Sequence, residues 1–176
     1  MIPTILVHAP LQKFLWTQIV APHGITDLIH AHKHRLYGKL AQIYGISITA
    51  ASGTQILPHG DHVLLVTLCL ASCVHFRHDL VSFFPSVPYP TLCTGALLFP
   101  LVQQPDYFLA YMCLLHVPNH YRMAWKYVKE QRTAVSWLLV TMGIVSILGV
   151  DYASTCMAPI IGIVIGHILY EEKYIH

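Results

Sequence analysis

Seven apolar stretches follow one another along the chain, and they limit what it can fold into. They lie approximately at residues 4–22, 40–57, 62–78, 90–102, 106–120, 134–150 and 154–170. A backbone in hydrocarbon must satisfy its own hydrogen bonds, so such stretches favour helices that cross a bilayer. Charged residues make up only 10% of the chain, against about 25% in a soluble domain. The sequence therefore predicts an all-α, polytopic transmembrane helical bundle of about seven spans.

The length and charge of the chain limit the kinds of domain and partner that it can have. Its 176 residues allow one such bundle, a single transmembrane domain over 1–176, in contact with membrane lipids. The net charge is +2 and no basic tract exceeds a short loop, which argues against nucleic acid as a partner. The first stretch contains His8, Lys13 and Gln18 and lacks a small-residue cleavage pattern, so we expect a span rather than a removable signal peptide. The five cysteines lie in apolar stretches and are interpreted as packing residues.

One span boundary decides the topology. The stretch 90–102 is short and is bounded by Pro90 and Pro100. Gln103, Gln104, Pro105 and Asp106 follow it and predict a tight turn. We therefore expect two spans between 90 and 120 rather than one long helix.

Positive charge predicts the orientation. Nine of the ten basic residues fall in or beside alternate connections: Lys33, Arg35, Lys39, Arg77, Arg122, Lys126, Lys129, Arg132 and Lys173. The opposite connections hold Asp61, Asp106 and Asp151 and no basic residue. Because cytoplasmic loops carry the excess of lysine and arginine, this split predicts an N-terminus outside and a cytoplasmic C-terminus.

Three histidine motifs stand at the cytoplasmic ends of the first, third and fifth stretches. They are His23-Gly24-Ile25-Thr26-Asp27, His75-Phe76-Arg77-His78-Asp79 and His116-Val117-Pro118-Asn119-His120. Residues four apart share a helix face, so each motif can present an imidazole with a second polar group. Pro118 can interrupt the last motif, because proline removes a backbone donor. A fourth pair with the same spacing, His167 and Glu171, ends the last stretch.

Converging neutral imidazoles are typical ligands of Fe(II), Zn(II) or Cu(II). The motifs predict His23, His75, His116 and His120 as metal ligands, and His78 and His167 as further candidates. Asp27 and Asp79 are predicted to accept the second ring N–H of a ligand and so fix its tautomer. A histidine site with an open coordination position could bind and activate dioxygen.

The motifs resemble those of the Brp/Blh family of membrane beta-carotene dioxygenases. That family carries Pro-His-Gly-x-x-Asp early, then His-Phe followed shortly by an acidic residue, and later His-x3-His. The corresponding residues here, in the same order, are Pro22-His23-Gly24-Ile25-Thr26-Asp27, His75-Phe76 with Asp79, and His116 with His120. The chain departs from the pattern in being much shorter, mainly between the second and third motifs, and in having Arg77 where a glycine is usual.

This resemblance implies a polytopic helical enzyme that uses iron and O2 to split carotene at its central double bond, yielding retinal. His23, His75, His116 and His120 would be the iron ligands. A lipophilic polyene, or another lipid in a divergent relative, would be the substrate. A retinal-accepting protein could act downstream.

Two other functions remain open from the residues alone. A di-iron lipid hydroxylase or desaturase would use several histidine boxes, which the second and third motifs match in part, although the chain has no adjacent His-His pair. A non-enzymatic metal-binding or transport protein would carry polar residues through both leaflets. Only His59 and His62 are predicted on the far side, which favours a closed site.

Overall fold

The computed structural model describes residues 9–129, 136–137, 140–141, 144 and 157–175. All regular elements in these residues are helical, which confirms the all-α class. The main helices are α1 Ala9–Leu15, α2 Ile25–His34, α3 Tyr37–Gly53, α4 Gly60–Phe83, α5 Pro90–Val102, α6 Pro105–Tyr111, α7 Val117–Val128 and α8 Met157–Tyr174. Of the 17 residues of the predicted 134–150 span, 12 lie outside the described residues.

Two widened turns join pairs of these helices. A π-helical turn, Trp16–Val20, and a 3-10 turn, Ala21–Gly24, connect α1 to α2. A second π-helical turn, Met112–His116, connects α6 to α7. Pro118 lies in the first turn of α7, where its missing donor costs least. The helix therefore runs on through the third motif, and each π turn, which holds an extra residue, rotates the histidine at or just beyond its end.

The predicted turn after α5 is present, since α5 ends at Val102 and α6 begins at Pro105. In the described residues only α4 is long and apolar enough to cross a membrane, and α5 is a shorter apolar helix. The 24 residues of α4 extend about 36 Å at 1.5 Å per residue. This length covers the hydrocarbon thickness of a bilayer, which is about 30 Å.

Helix α8 packs closely against α3 through two glycines one turn apart. A side-chain carbon at Gly162 would come within 2.6 Å of the Ile48 Cα, and one at Gly166 within 3.2 Å of the Tyr44 Cα. The small-x3-small pattern allows backbones of neighbouring helices to approach in this way. It also fixes His167, the residue after Gly166, relative to Tyr44 on α3.

An apolar cluster lies on one side of the histidine motifs. It contains Val20, Phe76, Leu98, Leu109 and Met112, which come from the first helical run, α4, α5 and the run from α6 to α7. Each of these side chains is less than 7% exposed. Phe76 belongs to the second motif, and Met112 begins the π turn that ends at His116 of the third motif. This packing therefore holds the two motifs together.

Candidate metal centre

Five imidazoles from four separate parts of the chain converge inside the bundle. They belong to His23, His75, His116, His120 and His167, and none is more than 9% exposed. The ring of His23 lies 5.2 Å from His116, 5.1 Å from His120 and 4.9 Å from His167, between centroids. The ring of His75 lies 5.1 Å from His116 and 5.4 Å from His167. The structure thus brings together the four predicted ligands and adds His167.

One set of donor atoms that could hold a metal ion differs from the predicted set. One ring nitrogen each from His23, His75 and His167 lies within 4.8 Å of the other two. His167 had been only a further candidate on sequence grounds. His116 and His120 stand beside this triad rather than in it.

Three of the rings are held through Nδ1. Nδ1 of His116 donates to Oδ2 of Asp79 at 2.8 Å, and Nδ1 of His167 donates to Oδ2 of Asp27 at 3.0 Å. Nδ1 of His23 bonds to the backbone carbonyl of Val20. When Nδ1 carries the proton, the lone pair is on Nε2, which is the usual arrangement of a metal-ligating histidine.

Several buried ring nitrogens have no hydrogen-bond partner. These are both nitrogens of His75, Nε2 of His116 and Nε2 of His167. A buried polar atom without a partner is costly, and a cation coordinated by these nitrogens would remove that cost. The donor set therefore fits a divalent transition metal.

Asp79 is held from three directions. Its Oδ2 accepts from Tyr111 at 2.6 Å as well as from His116, and its Oδ1 accepts from Asn119 at 2.7 Å. Asn119 in turn accepts from Arg122 at 2.9 Å. The carboxylate of the second motif therefore orients a histidine of the third motif, not its own His75.

Asp27 plays the same part on the other side of the cluster. Its Oδ2 accepts from the Tyr44 hydroxyl at 2.6 Å and from His167. The acid of the first motif thus orients a histidine on α8. Both predicted accepting carboxylates face imidazoles, but imidazoles on neighbouring helices.

His120 and Glu171 form a separate contact at the edge of the cluster. Nε2 of His120 lies 2.7 Å from Oγ1 of Thr26 and 3.2 Å from Oε1 of Glu171. The Glu171 side chain is 0% exposed. Glu171 was not predicted as a site residue, although the His-x3-acid spacing from His167 was the signal that could have found it.

The other histidines that the structure describes lie away from the centre. His78, one turn from His75, points outward and pairs with Glu172 at 2.8 Å, next to Arg77. His30 bonds to the Tyr170 hydroxyl at 3.1 Å, and its ring lies 4.4 Å from that of His34. Burial, and then the neighbouring His34, lower the pKa of His30. Because His78 pairs with Glu172, this further candidate is not part of the cluster.

Comparison with protein-family models, with curated proteins and with solved structures found no match for this chain.

Proposed function

We propose that the chain is an integral membrane protein, a bundle of about seven spans with the N-terminus outside and the C-terminus cytoplasmic. Its polarity is opposite to that of a soluble bundle, because imidazoles and carboxylates lie inside while large apolar side chains face outward. Leu70 on α4 is 65% exposed and Phe99 on α5 is 69% exposed. Within an apolar stretch of 18 residues of α4, only 22% of the residues are buried. Contact with lipid accounts for this apolar surface, and the one-sided distribution of lysine and arginine supports the orientation.

We propose that the histidine cluster holds iron and that the protein is an iron-dependent oxygenase that cleaves a carotenoid, beta-carotene to retinal. The observation that carries this proposal is the convergence of five buried imidazoles, three of them anchored through Nδ1. Neutral imidazoles suit Fe(II), although the same donors also take other divalent metals. Fe(II) bound there would supply the activation of dioxygen. The motif resemblance supports carotene as the substrate.

The residues of the chain have distinct parts in this proposal. His23, His75 and His167 would hold the metal. His116 would be a fourth ligand, because its buried Nε2 has no hydrogen-bond partner. Asp79 and Asp27 keep the His116 and His167 rings in the tautomer that leaves Nε2 available. Burial excludes water from the reacting region, which protects a reactive intermediate from side reactions.

An apolar cleft supports a lipophilic substrate. It has a volume of about 750 Å³ and lies between the C-terminal end of α4 and the start of α5. Its wall includes Leu80, Phe84 and Leu97, and Leu80 directly follows Asp79 in the chain. We infer that a polyene chain enters the bundle through this cleft.

A second candidate is a di-iron lipid hydroxylase or desaturase. Donor atoms of Asp27, His167 and Glu171 also lie within 4.8 Å of one another, and a site with two metal ions needs such a second donor set. A non-enzymatic transport role has less support. His62 lies thirteen residues before His75 on α4, about 20 Å away along the helix, so the five clustered histidines are not continued along α4 as an ion path would be.

Expression in carotene-accumulating bacteria tests the proposal. The wild-type chain should bleach the cells and yield retinal, measured by chromatography of extracted pigment. The His23→Ala variant, present in the membrane at the same level, should leave the colour unchanged. Unchanged carotene with iron-loaded wild-type protein in the membrane would reject carotene cleavage. A hydroxylated or desaturated lipid in that experiment would instead support the second candidate.

A further inference from the structure

Glu171 lies against the histidine cluster at the end of α8 and belongs to none of the three sequence motifs. We propose that its carboxylate is a ligand of the metal, so that the site binds its cation with imidazoles and one carboxylate rather than with imidazoles alone. This inference rests on the proposed metal centre. It does not depend on the substrate.

The spacing of Glu171 from the imidazoles supports this role. Its Oε2 lies 3.6 Å from Nε2 of His167 and 3.7 Å from Nδ1 of His75. These distances are too long for hydrogen bonds. Two donors bound to one cation at about 2.1 Å each stand roughly 3.0–3.4 Å apart in octahedral or tetrahedral geometry. A small shift of side chains would close the difference.

The second carboxylate oxygen is held in place. Oε1 of Glu171 lies 3.2 Å from Nε2 of His120 and 3.4 Å from Oγ1 of Thr26. Nε2 of His120 thus has two oxygen neighbours, an environment that suits a donating N–H rather than a metal-binding lone pair. We infer that His120 is a positioning residue, which orients Glu171 so that Oε2 faces His75 and His167.

The negative charge of Glu171 is a further reason to expect a cation beside it. Glu171 is fully buried, next to imidazoles that must be neutral to bind a metal. A donor atom of the Asp27 carboxylate also lies within 4.8 Å of one of its own. A buried carboxylate is costly without a compensating cation, and a divalent ion would provide that compensation. The adjacent Glu172 differs, because its carboxylate pairs with Arg77 at 2.7 Å and with His78. The two neighbouring acids therefore serve as a test residue and a matched control.

Metal binding by Glu171→Gln and Glu172→Gln tests the proposal. Purified protein in detergent is titrated with Fe(II) without oxygen and with Co(II), whose visible absorption reports the donor set. Glu171→Gln should bind both ions at least tenfold more weakly and change the Co(II) spectrum. Glu172→Gln should match the wild type in affinity and spectrum. His120→Gln should weaken binding by a smaller factor.

Equal affinity and an equal Co(II) spectrum in Glu171→Gln and wild type would overturn the proposal. So would a lower melting temperature of the metal-free variant combined with normal metal affinity, because that result describes a structural ion pair. If Glu171→Gln does not accumulate, the test is the infrared spectrum of a Glu130→Gln, Glu172→Gln double variant that carries 13C-labelled glutamate, because Glu171 is then the single labelled residue. A labelled carboxylate band that shifts when Co(II) binds supports the ligand, and an unshifted band overturns it.

The outcome is independent of carotene cleavage. Weaker metal binding in Glu171→Gln together with unchanged carotene in cells would keep this inference and reject the substrate. Retinal formation by the wild type, together with unchanged metal binding in Glu171→Gln, would keep the substrate and reject Glu171 as a ligand.

Discussion

Nδ1 of His116 lies 2.8 Å from Oδ2 of Asp79, and the two residues come from different helical runs. Asp79 lies on α4, four residues after His75, whereas His116 closes the π turn before α7. The contact therefore ties the second motif to the third. It also makes the orientation of one imidazole depend on a carboxylate 37 residues away in sequence.

We predict that Asp79→Asn weakens metal binding. Asparagine keeps the shape of the side chain but removes the negative charge that makes His116 a stronger ligand. Loss of such a partner costs about 10–100-fold in metal affinity, which a chelator competition assay with Co(II) would measure. Asp61→Asn is the matched control, because Asp61 is an exposed acid at the other end of α4. Equal affinities of the two variants would contradict the role given to Asp79.

We predict opposite effects on metal content when His167 and His78 are replaced by alanine. His167→Ala should lose most of the bound metal, because His167 belongs to both sets of donor atoms that could hold an ion. His78→Ala should retain it, because His78 faces Glu172 outside the cluster. Metal content per folded protein, determined by elemental analysis after purification, checks both. Retention in His167→Ala with loss in His78→Ala would show that the cluster is not the binding site.

Hydropathy and charge were enough to predict part of this arrangement. The all-helical class, the bounds of α5 and the turn at Gln103 are local properties of the chain, so the sequence contains them directly. The convergence of His23, His75 and His116 was predicted because the distribution of lysine and arginine puts the ends of their three segments on the same side of the membrane. In the structure the His116 ring lies 5.2 Å from the His23 ring and 5.1 Å from the His75 ring.

The pairing inside the site was not predictable in the same way. A spacing of four residues shows which side chains share a helix face, but not which neighbouring helix they face. Asp27 therefore looked like a partner for His23 and is a partner for His167 instead. The π turn before His116 adds a rotation that the motif does not encode. Glu171 had the same spacing from His167 and was missed because no recognised motif included it.

The contact between α3 and α8 predicts a strong effect of a small substitution. Gly162→Ala should lower stability by about 1–3 kcal/mol, the usual cost of overpacking, because the added carbon would meet the Ile48 Cα at 2.6 Å. Gly45→Ala, in the middle of α3, meets nothing within 4 Å and should be neutral or stabilising by up to about 1 kcal/mol. Thermal denaturation in detergent measures both. A melting temperature of Gly162→Ala equal to that of Gly45→Ala would argue against the close packing.

The apolar cleft between α4 and α5 gives the last prediction. Leu97→Trp should reduce carotene cleavage several-fold. Leu97 lines the cleft, and the indole ring of tryptophan would fill the space proposed for the polyene. Metal content should stay normal, since Leu97 is not among the residues of the histidine cluster. Leu92→Trp adds the same ring on the same helix at a side chain that is 73% exposed and does not line the cleft, so its activity should match the wild type. Retinal yield per membrane-bound protein distinguishes the two variants. If Leu97→Trp cleaves as well as Leu92→Trp does, the substrate reaches the cluster by another route.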